Sequence, residues 1–219
     1  YRDGIEVRHV GGPLPSQPHI DMTVAMLRDA GVTVRQPAPA VWQVPPGAIR
    51  ARDVMVEPDL SNAAPFLVAA AVTGGSVHVP GWPGTTTQPG AALVDLLRRM
   101  GASAELSEGG LTVRGAGTLI GLRADLRELG ELVPVLAAAA ALASTPSRLT
   151  GIGHLRGHET DRLAALAREL DAVGVRAREL PDGLEIEPGE RHGAPWSAYA
   201  DHRMAQAGAV IGLVTPGVV

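Results

Sequence analysis

The sequence predicts an α/β protein assembled from repeated helix–strand units, and three observations carry that expectation. MLRDAGVTVRQ (26–36), LLRRMGASAEL (96–106) and LARELDAVGVRAREL (166–180) share one plan, an amphipathic helix closed by a glycine and followed by an alternating strand. The closing glycines, Gly31, Gly101 and Gly174, recur roughly 70 residues apart, longer than a solenoid repeat and suited to a tandemly duplicated βαβ-type unit. Hydrophobic residues make up 45% of the 219 and charged residues 19%, a balance that suits a packed core and excludes a disordered chain.

The elements follow in order. YRDGIEVRHV at the start is strand-like, and the helix through MLRDAG ends at Gly31. SNAAPFLVAAAVT (61–73) is a small-residue helix that Ser61 or Asn62 could cap. SVHVPGW alternates as a strand does. PGAALVDLLRRMG is a helix with Pro89 suited to its first turn. SAEL and LTVRG read as a hairpin across SEGG. ELVPVLAAAAALA reads as a buried helix and SRLTGI as a strand. HETDRLAALARELDAVG is an amphipathic helix, and VRAREL and LEIEP pair across PDG. DHRMAQAGAVIGLV begins a further unit. Each unit is roughly helix, strand, helix, strand, strand. The strand-like opening and the close at VTPGVV suggest a chain cut at both ends.

Composition narrows function. The net charge of −4 and the lack of a basic block argue against nucleic acid as a partner. Cysteine is absent, which removes disulfides, thiolate metal sites and cysteine nucleophiles. Every cationic side chain is arginine, so no Schiff-base or Walker lysine is present. No apolar run approaches the roughly 20 residues of a membrane span, and no signal peptide opens the chain, so a soluble cytoplasmic protein is expected. The seven histidines offer no ligand set: His154 and His158 are four apart without a third partner, and no metal is expected. GxxxxGK[ST], GxGxxG after a strand, GxSxG and HExxH are all missing. Trp42, Trp82 and Trp196 are scattered and read as packing residues.

Two charged knots interrupt this apolar chain: HETDR at 158–162 and DHRM at 201–204, each ahead of an apolar run. Leu163, Leu166 and Leu170 form a helical stripe. Glu159, Thr160 and Asp161 then fall in the first turn, where carboxylates favour the dipole, with Thr160 or Asp161 as the cap. From that segment alone, capping accounts for these residues without catalysis. Asp201 reads as a cap in the same way. Arg162 and Arg203 change the balance, because a cation at a helix start opposes the dipole unless an anion sits nearby. Two such arginines could clamp phosphate or carboxylate. Glu131, opening a helix without other charge, joins Glu159 as a candidate pair for proton transfer at an anion site.

RGHETDRLAALARELDAVG followed by YADHRMA resembles the 5-enolpyruvylshikimate-3-phosphate (EPSP) synthase family. EPDLSNAAPFLVAAAVTGGSV, GELVPVLAAAAALA and PLPSQPHIDMT match in order and at fitting distances, so the resemblance covers nearly the whole chain. It implies an inverse α/β barrel architecture of repeated βαβαββ units. Residues 1–57 would be the C-terminal part of the first enolpyruvyl transferase domain and 58–219 most of the second. It implies transfer of the enolpyruvyl group of phosphoenolpyruvate to the 5-hydroxyl of shikimate 3-phosphate, by addition and elimination, with no metal or organic cofactor.

Carried over residue by residue, the resemblance places Arg162 and Arg203 on phosphoenolpyruvate. Glu131 stands at the acid that contacts the 5-hydroxyl, where many members have aspartate, and Glu159 matches the second acid–base group. Ser16 matches a shikimate 3-phosphate contact. His158 stands where many members have lysine, and the resemblance places it on shikimate 3-phosphate. His202 matches a histidine with a supporting role. The family's early lysine and arginine contacts, its glycine loop and its serine–glutamine cluster would precede Tyr1, and a C-terminal lysine would follow Val219. The expectation is that this chain alone is inactive and that the full-length enzyme is a monomer. Two alternatives stay open: an enzyme of the same fold acting on a nucleotide sugar, against which the absent cysteine and HETDR weigh, and a non-catalytic anion-binding module.

Overall fold

The computed structural model describes residues 1–12, 14 and 16–219. The chain divides into two units, Tyr1–Val56 with Thr85–Pro89, and Glu57–Gly84 with Gly90–Val219.

The first unit contains β1 (Ile5–Arg8), α1 (Gln17–Asp29), β2 (Arg35–Ala38) and β3 (Val41–Val44). The strands form an antiparallel sheet in the order β1-β3-β2. Proline in the first turn suits α1, where its missing N–H would be unpaired anyway. Gly31 follows the helix at φ +80°, the left-handed turn expected of it. The strand expected straight after it starts only at Arg35. No residue of α1 is buried.

The second unit runs α2 (Leu60–Thr73), β4 (Ser76–Pro80), α3 (Leu93–Arg99), β5 (Ser103–Ser107), β6 (Gly110–Arg114), β7 (Arg123–Asp125), α4 (Val133–Ala141), β8 (Ser147–Thr150), α5 (Arg162–Ala172), β9 (Arg176–Leu180), β10 (Gly183–Glu187) and α6 (His202–Gly212). One sheet has the antiparallel order β4-β6-β5, the other the order β7-β8-β10-β9. The hairpins fall where alternation puts them, with Ala104 opposite Val113 and Ala177 opposite Ile186. Met100 and Val173 end α3 and α5, and Gly101 and Gly174 follow at φ +99° and +86°. Helices α2, α4, α5 and α6 pack on one another between the sheets' inner faces. All nine residues of α4 are buried, and its five consecutive alanines let neighbouring backbones come close.

Two local expectations need correction, and one strand has no counterpart among them. Helix α2 starts at Leu60 and is capped by Asp59, whose side chain accepts from the Asn62 N–H at 2.9 Å, so neither Ser61 nor Asn62 is the cap. Helix α5 starts at Arg162 with Asp161 as cap, accepting from Ala164 N–H at 3.0 Å. Glu159 and Thr160 therefore precede the helix rather than fill its first turn. Finally, β7 lies within a stretch that carries no strand pattern. It exists through a parallel ladder with β8, Ala124 opposite Leu149.

Candidate functional site

Arg162 is the first residue of α5 and is fully buried. An uncompensated guanidinium there would cost several kcal/mol, and the surrounding acceptors answer for it. Asp201, 1% exposed, takes its Nε at 2.7 Å. Glu159 takes one terminal nitrogen at 2.9 Å. The other lies 3.2 Å from His158 Nδ1 and 3.7 Å from Glu131.

Asp201 is also the cap of α6, accepting from the Arg203 N–H at 2.8 Å. Burial pushes its carboxyl pKa up, but the Arg162 hydrogen bond and the Arg203 and Met204 N–H groups outweigh that and hold it below the usual carboxylate value. The sequence marks Asp201 as a cap and carries no sign of its ion pair, because the partner lies 39 residues away.

Arg203 lies one residue inside α6, 8% exposed. Its Nε donates to Glu131 at 3.1 Å and a terminal nitrogen to the Ser61 carbonyl at 3.0 Å. Pro65 lies four residues after Ser61 inside α2 and has no N–H to return to that carbonyl. The arginine thus occupies an acceptor that the helix leaves open. Glu131 belongs to a 3-10 turn, Gly130–Leu132, leading into α4, and bridges the two guanidinium groups.

Six groups, Arg162, Arg203, Asp201, Glu131, Glu159 and His158, therefore meet in the second unit. Asp201 is the buried carboxylate, while Glu131 and Glu159 side chains are 30% and 49% exposed and stand on the accessible side. The guanidinium groups face carboxylates already, and the two exposed members, Glu131 and Glu159, are the ones an incoming anion would have to displace to reach them.

His158 is half-buried, with its ring 5.9 Å from that of His154. Burial and the neighbouring His158 lower the His154 pKa. His202, the first residue of α6, is exposed and forms no hydrogen bond or ion pair with the six groups. Ser16 belongs to the first unit. It precedes α1 in a left-handed conformation, φ +54°, and its hydroxyl makes no capping bond. Among the described residues no group of three or more potential ligands could hold a metal ion. No helix among them is long and apolar enough to cross a membrane.

The sequence model of one family, described as EPSP synthase (3-phosphoshikimate 1-carboxyvinyltransferase), matches residues 1–219. The chain belongs to the EPSP synthase family. Among solved structures, one EPSP synthase from Acinetobacter baumannii matches with a TM-score of 0.75 and 26% identity, over 99% of this chain and 52% of that one. A second from the same organism matches at 0.73 and 25%, over 99% and 51%. The enolpyruvyl transferase NikO from Streptomyces tendae matches at 0.68 and 21%, over 98% and 50%, a likeness of fold. The chain thus spans about half the length of the solved EPSP synthases it matches, and its α/β fold is that of the family.

Proposed function

We propose that this chain is part of an enzyme that transfers the enolpyruvyl group of phosphoenolpyruvate to the 5-hydroxyl of shikimate 3-phosphate, releasing phosphate. Family membership supports this, and one observation carries it: two buried arginines from successive helix starts share one carboxylate, Glu131, while a second, Glu159, touches Arg162. Phosphoenolpyruvate brings a phosphate and a carboxylate, and Arg162 and Arg203 are its holders. The addition moves two protons: Glu131 takes the proton of the 5-hydroxyl as the hydroxyl oxygen bonds to C2 of the enol, and Glu159 delivers one to the methylene carbon. In the elimination Glu159 takes a proton back from the new methyl group as the C2–O bond to phosphate breaks, and phosphate leaves with the proton that Glu131 held. Positioned acid–base groups of this kind contribute roughly 10²–10⁴ in rate. His158 and Ser16 would contact shikimate 3-phosphate, and His202 would support Arg203.

Residues 1–57 belong, in this reading, to the C-terminal part of the first enolpyruvyl transferase domain, and 58–219 make up most of the second. The rest of the first domain would cover the exposed face of α1. The whole enzyme would be cytoplasmic and monomeric, with no metal or organic cofactor in the reaction. This chain by itself would be inactive, because a site that lacks part of its contacting shell lacks the geometry for turnover.

The test is phosphate release from phosphoenolpyruvate by the full-length protein, with and without shikimate 3-phosphate, alongside this chain. Release that depends on shikimate 3-phosphate in the former alone is expected, with kcat lowered about 10²-fold or more by Glu131→Gln or Glu159→Gln. Unchanged turnover in those variants would remove the assigned roles. Absence of release from the full-length protein would make UDP-N-acetylglucosamine the next acceptor to try.

A further inference from the structure

Glu169 is a buried carboxylate, 4% exposed, that takes no part in the chemistry above. Burying a charge is costly unless it is well hydrogen-bonded, so its partners show what it holds. One oxygen accepts from the Ser197 N–H at 3.0 Å and the other from the Tyr199 hydroxyl. Both donors are neutral, and both belong to the segment just before α6. Burial and the neighbouring carboxylate raise the Tyr199 pKa, which keeps its hydroxyl a donor.

That segment is strained. Tyr199 and Ala200 lie at φ +54° and +56°, consecutive left-handed residues without a glycine. Such conformations persist only where the surroundings over-determine them, and they gather at functional sites. Asp201 follows directly, and its N–H closes the turn onto the Ala198 carbonyl at 2.8 Å. Upstream, Trp196 donates its indole N–H to the Met204 carbonyl at 2.9 Å and lies on α6 at Gly208, where a Cβ would come within 2.5 Å of the ring. The turn is thus held from α6 by Trp196 and from α5 by Glu169.

Helix α5 gives this a direction. Arg162 and Glu169 are seven residues apart, two helical turns, and so share one face. We propose that Glu169 is a positioning residue for the anion site. By holding the Tyr199–Ala200 turn against α5, it places Asp201 and Arg203 in register with Arg162. The functional part of this inference rests on the synthase reading; the structural tie does not.

The experiment uses Glu169→Gln, Ala200→Gly and the double variant. The amide keeps one acceptor oxygen, so one of the two donors loses its partner. Ala200 is exposed, and glycine adopts the left-handed turn without strain, so the second change removes the need for the tie. Two readouts are taken. In the 219-residue chain, hydrogen exchange of the Arg203 backbone N–H is expected to quicken about tenfold or more in E169Q and to return toward wild type in E169Q/A200G. In the full-length protein, KM for phosphoenolpyruvate is expected to rise about tenfold with kcat within about threefold, and to recover in the double variant. Unchanged exchange at Arg203 overturns the tie. Faster exchange with an unchanged KM, or a lowered melting temperature with no rescue by A200G, overturns the positioning role and leaves Glu169 a packing group. Exchange that quickens and recovers in a protein whose full-length form releases no phosphate upholds the tie and rejects the synthase reading instead.

Discussion

The two units are made from the same local materials and differ in what those materials enclose. In the second, α4 is buried along its whole length and five helices share one apolar interior. In the first, α1 is amphipathic, proline-started and glycine-closed, yet none of its residues is buried. Among the described residues, the buried apolar side chains of the first unit are Val34, Val41 and Trp42. Helix signals are therefore satisfied in both units, and core formation in one. Helical stability comes mostly from packing an apolar face, so the second unit has the means to hold its shape and the first does not. The buried Arg162–Asp201 pair lies in the unit that can exclude water around it.

Hydrogen exchange separates the units most widely. A global stability of about 5–15 kcal/mol corresponds to protection of roughly four decades or more for the innermost amides. We expect that of α4 and almost none of α1 in the isolated chain. Comparable protection of the two helices would show that the first unit is supported by contacts its burial does not reveal.

Arg162→Leu strikes at the charged centre of the second unit. It leaves Asp201 buried without its cation, and losing one partner of a buried pair costs about 3–5 kcal/mol. Urea unfolding at several pH values reads both the cost and its cause. In the wild type the Asp201 pKa is lowered by folding. The pair's contribution is complete above the unfolded value of about 3.9 and disappears as pH falls through the folded value. In the variant the unpaired carboxyl is raised by burial, so acid relieves it. The gap between the two proteins should be widest near neutrality and should narrow below about pH 4. A gap independent of pH would assign the loss to packing.

Core truncation gives a smaller contrast. Leu136 is fully buried in α4, and Leu136→Ala should cost about 2–5 kcal/mol. Val34→Ala, among few buried neighbours, should cost less than about 1 kcal/mol in the same urea titration. Equal losses would mean that the first unit has a core of its own.

What could be read from the sequence follows the range of the forces involved. The glycine-closed helices and the hairpins depend on a few adjacent residues, and Gly31, Gly101 and Gly174 fall where expected. The start of α2 was misplaced because Asp59, Ser61 and Asn62 all offer capping oxygens within four residues, and only the backbone shows which one faces an N–H. Strand β7 has no local signal, since its ladder partner is about 25 residues away. The site divides in the same way. Arginine at a helix start is visibly out of place, which exposed Arg162 and Arg203. Asp201 had a sufficient local explanation as a cap, and that concealed its bond to Arg162. Glu169 resembles any charge on an amphipathic helix, and only its partners at Ser197 and Tyr199 set it apart.

The finest comparison is between the two helix starts that differ in chemistry. Asp59 gives α2 a working cap, its carboxylate accepting from the Asn62 N–H and also from the Asn62 side chain at 2.8 Å. Ser16 stands at the same position before α1 but in the left-handed region, where its hydroxyl caps nothing. Serine and aspartate rank together as caps by residue type, so residue type alone predicts equal losses on truncation. Geometry predicts otherwise. Asp59→Ala should destabilise the second unit by about 1 kcal/mol, while Ser16→Ala should stay within about 0.5 kcal/mol. The same serine is the one proposed to meet shikimate 3-phosphate, and a hydroxyl not engaged by its own helix is available to a ligand. If Ser16→Ala were as destabilising as Asp59→Ala, that hydroxyl would have a structural duty, and its proposed contact with substrate would lose its physical basis.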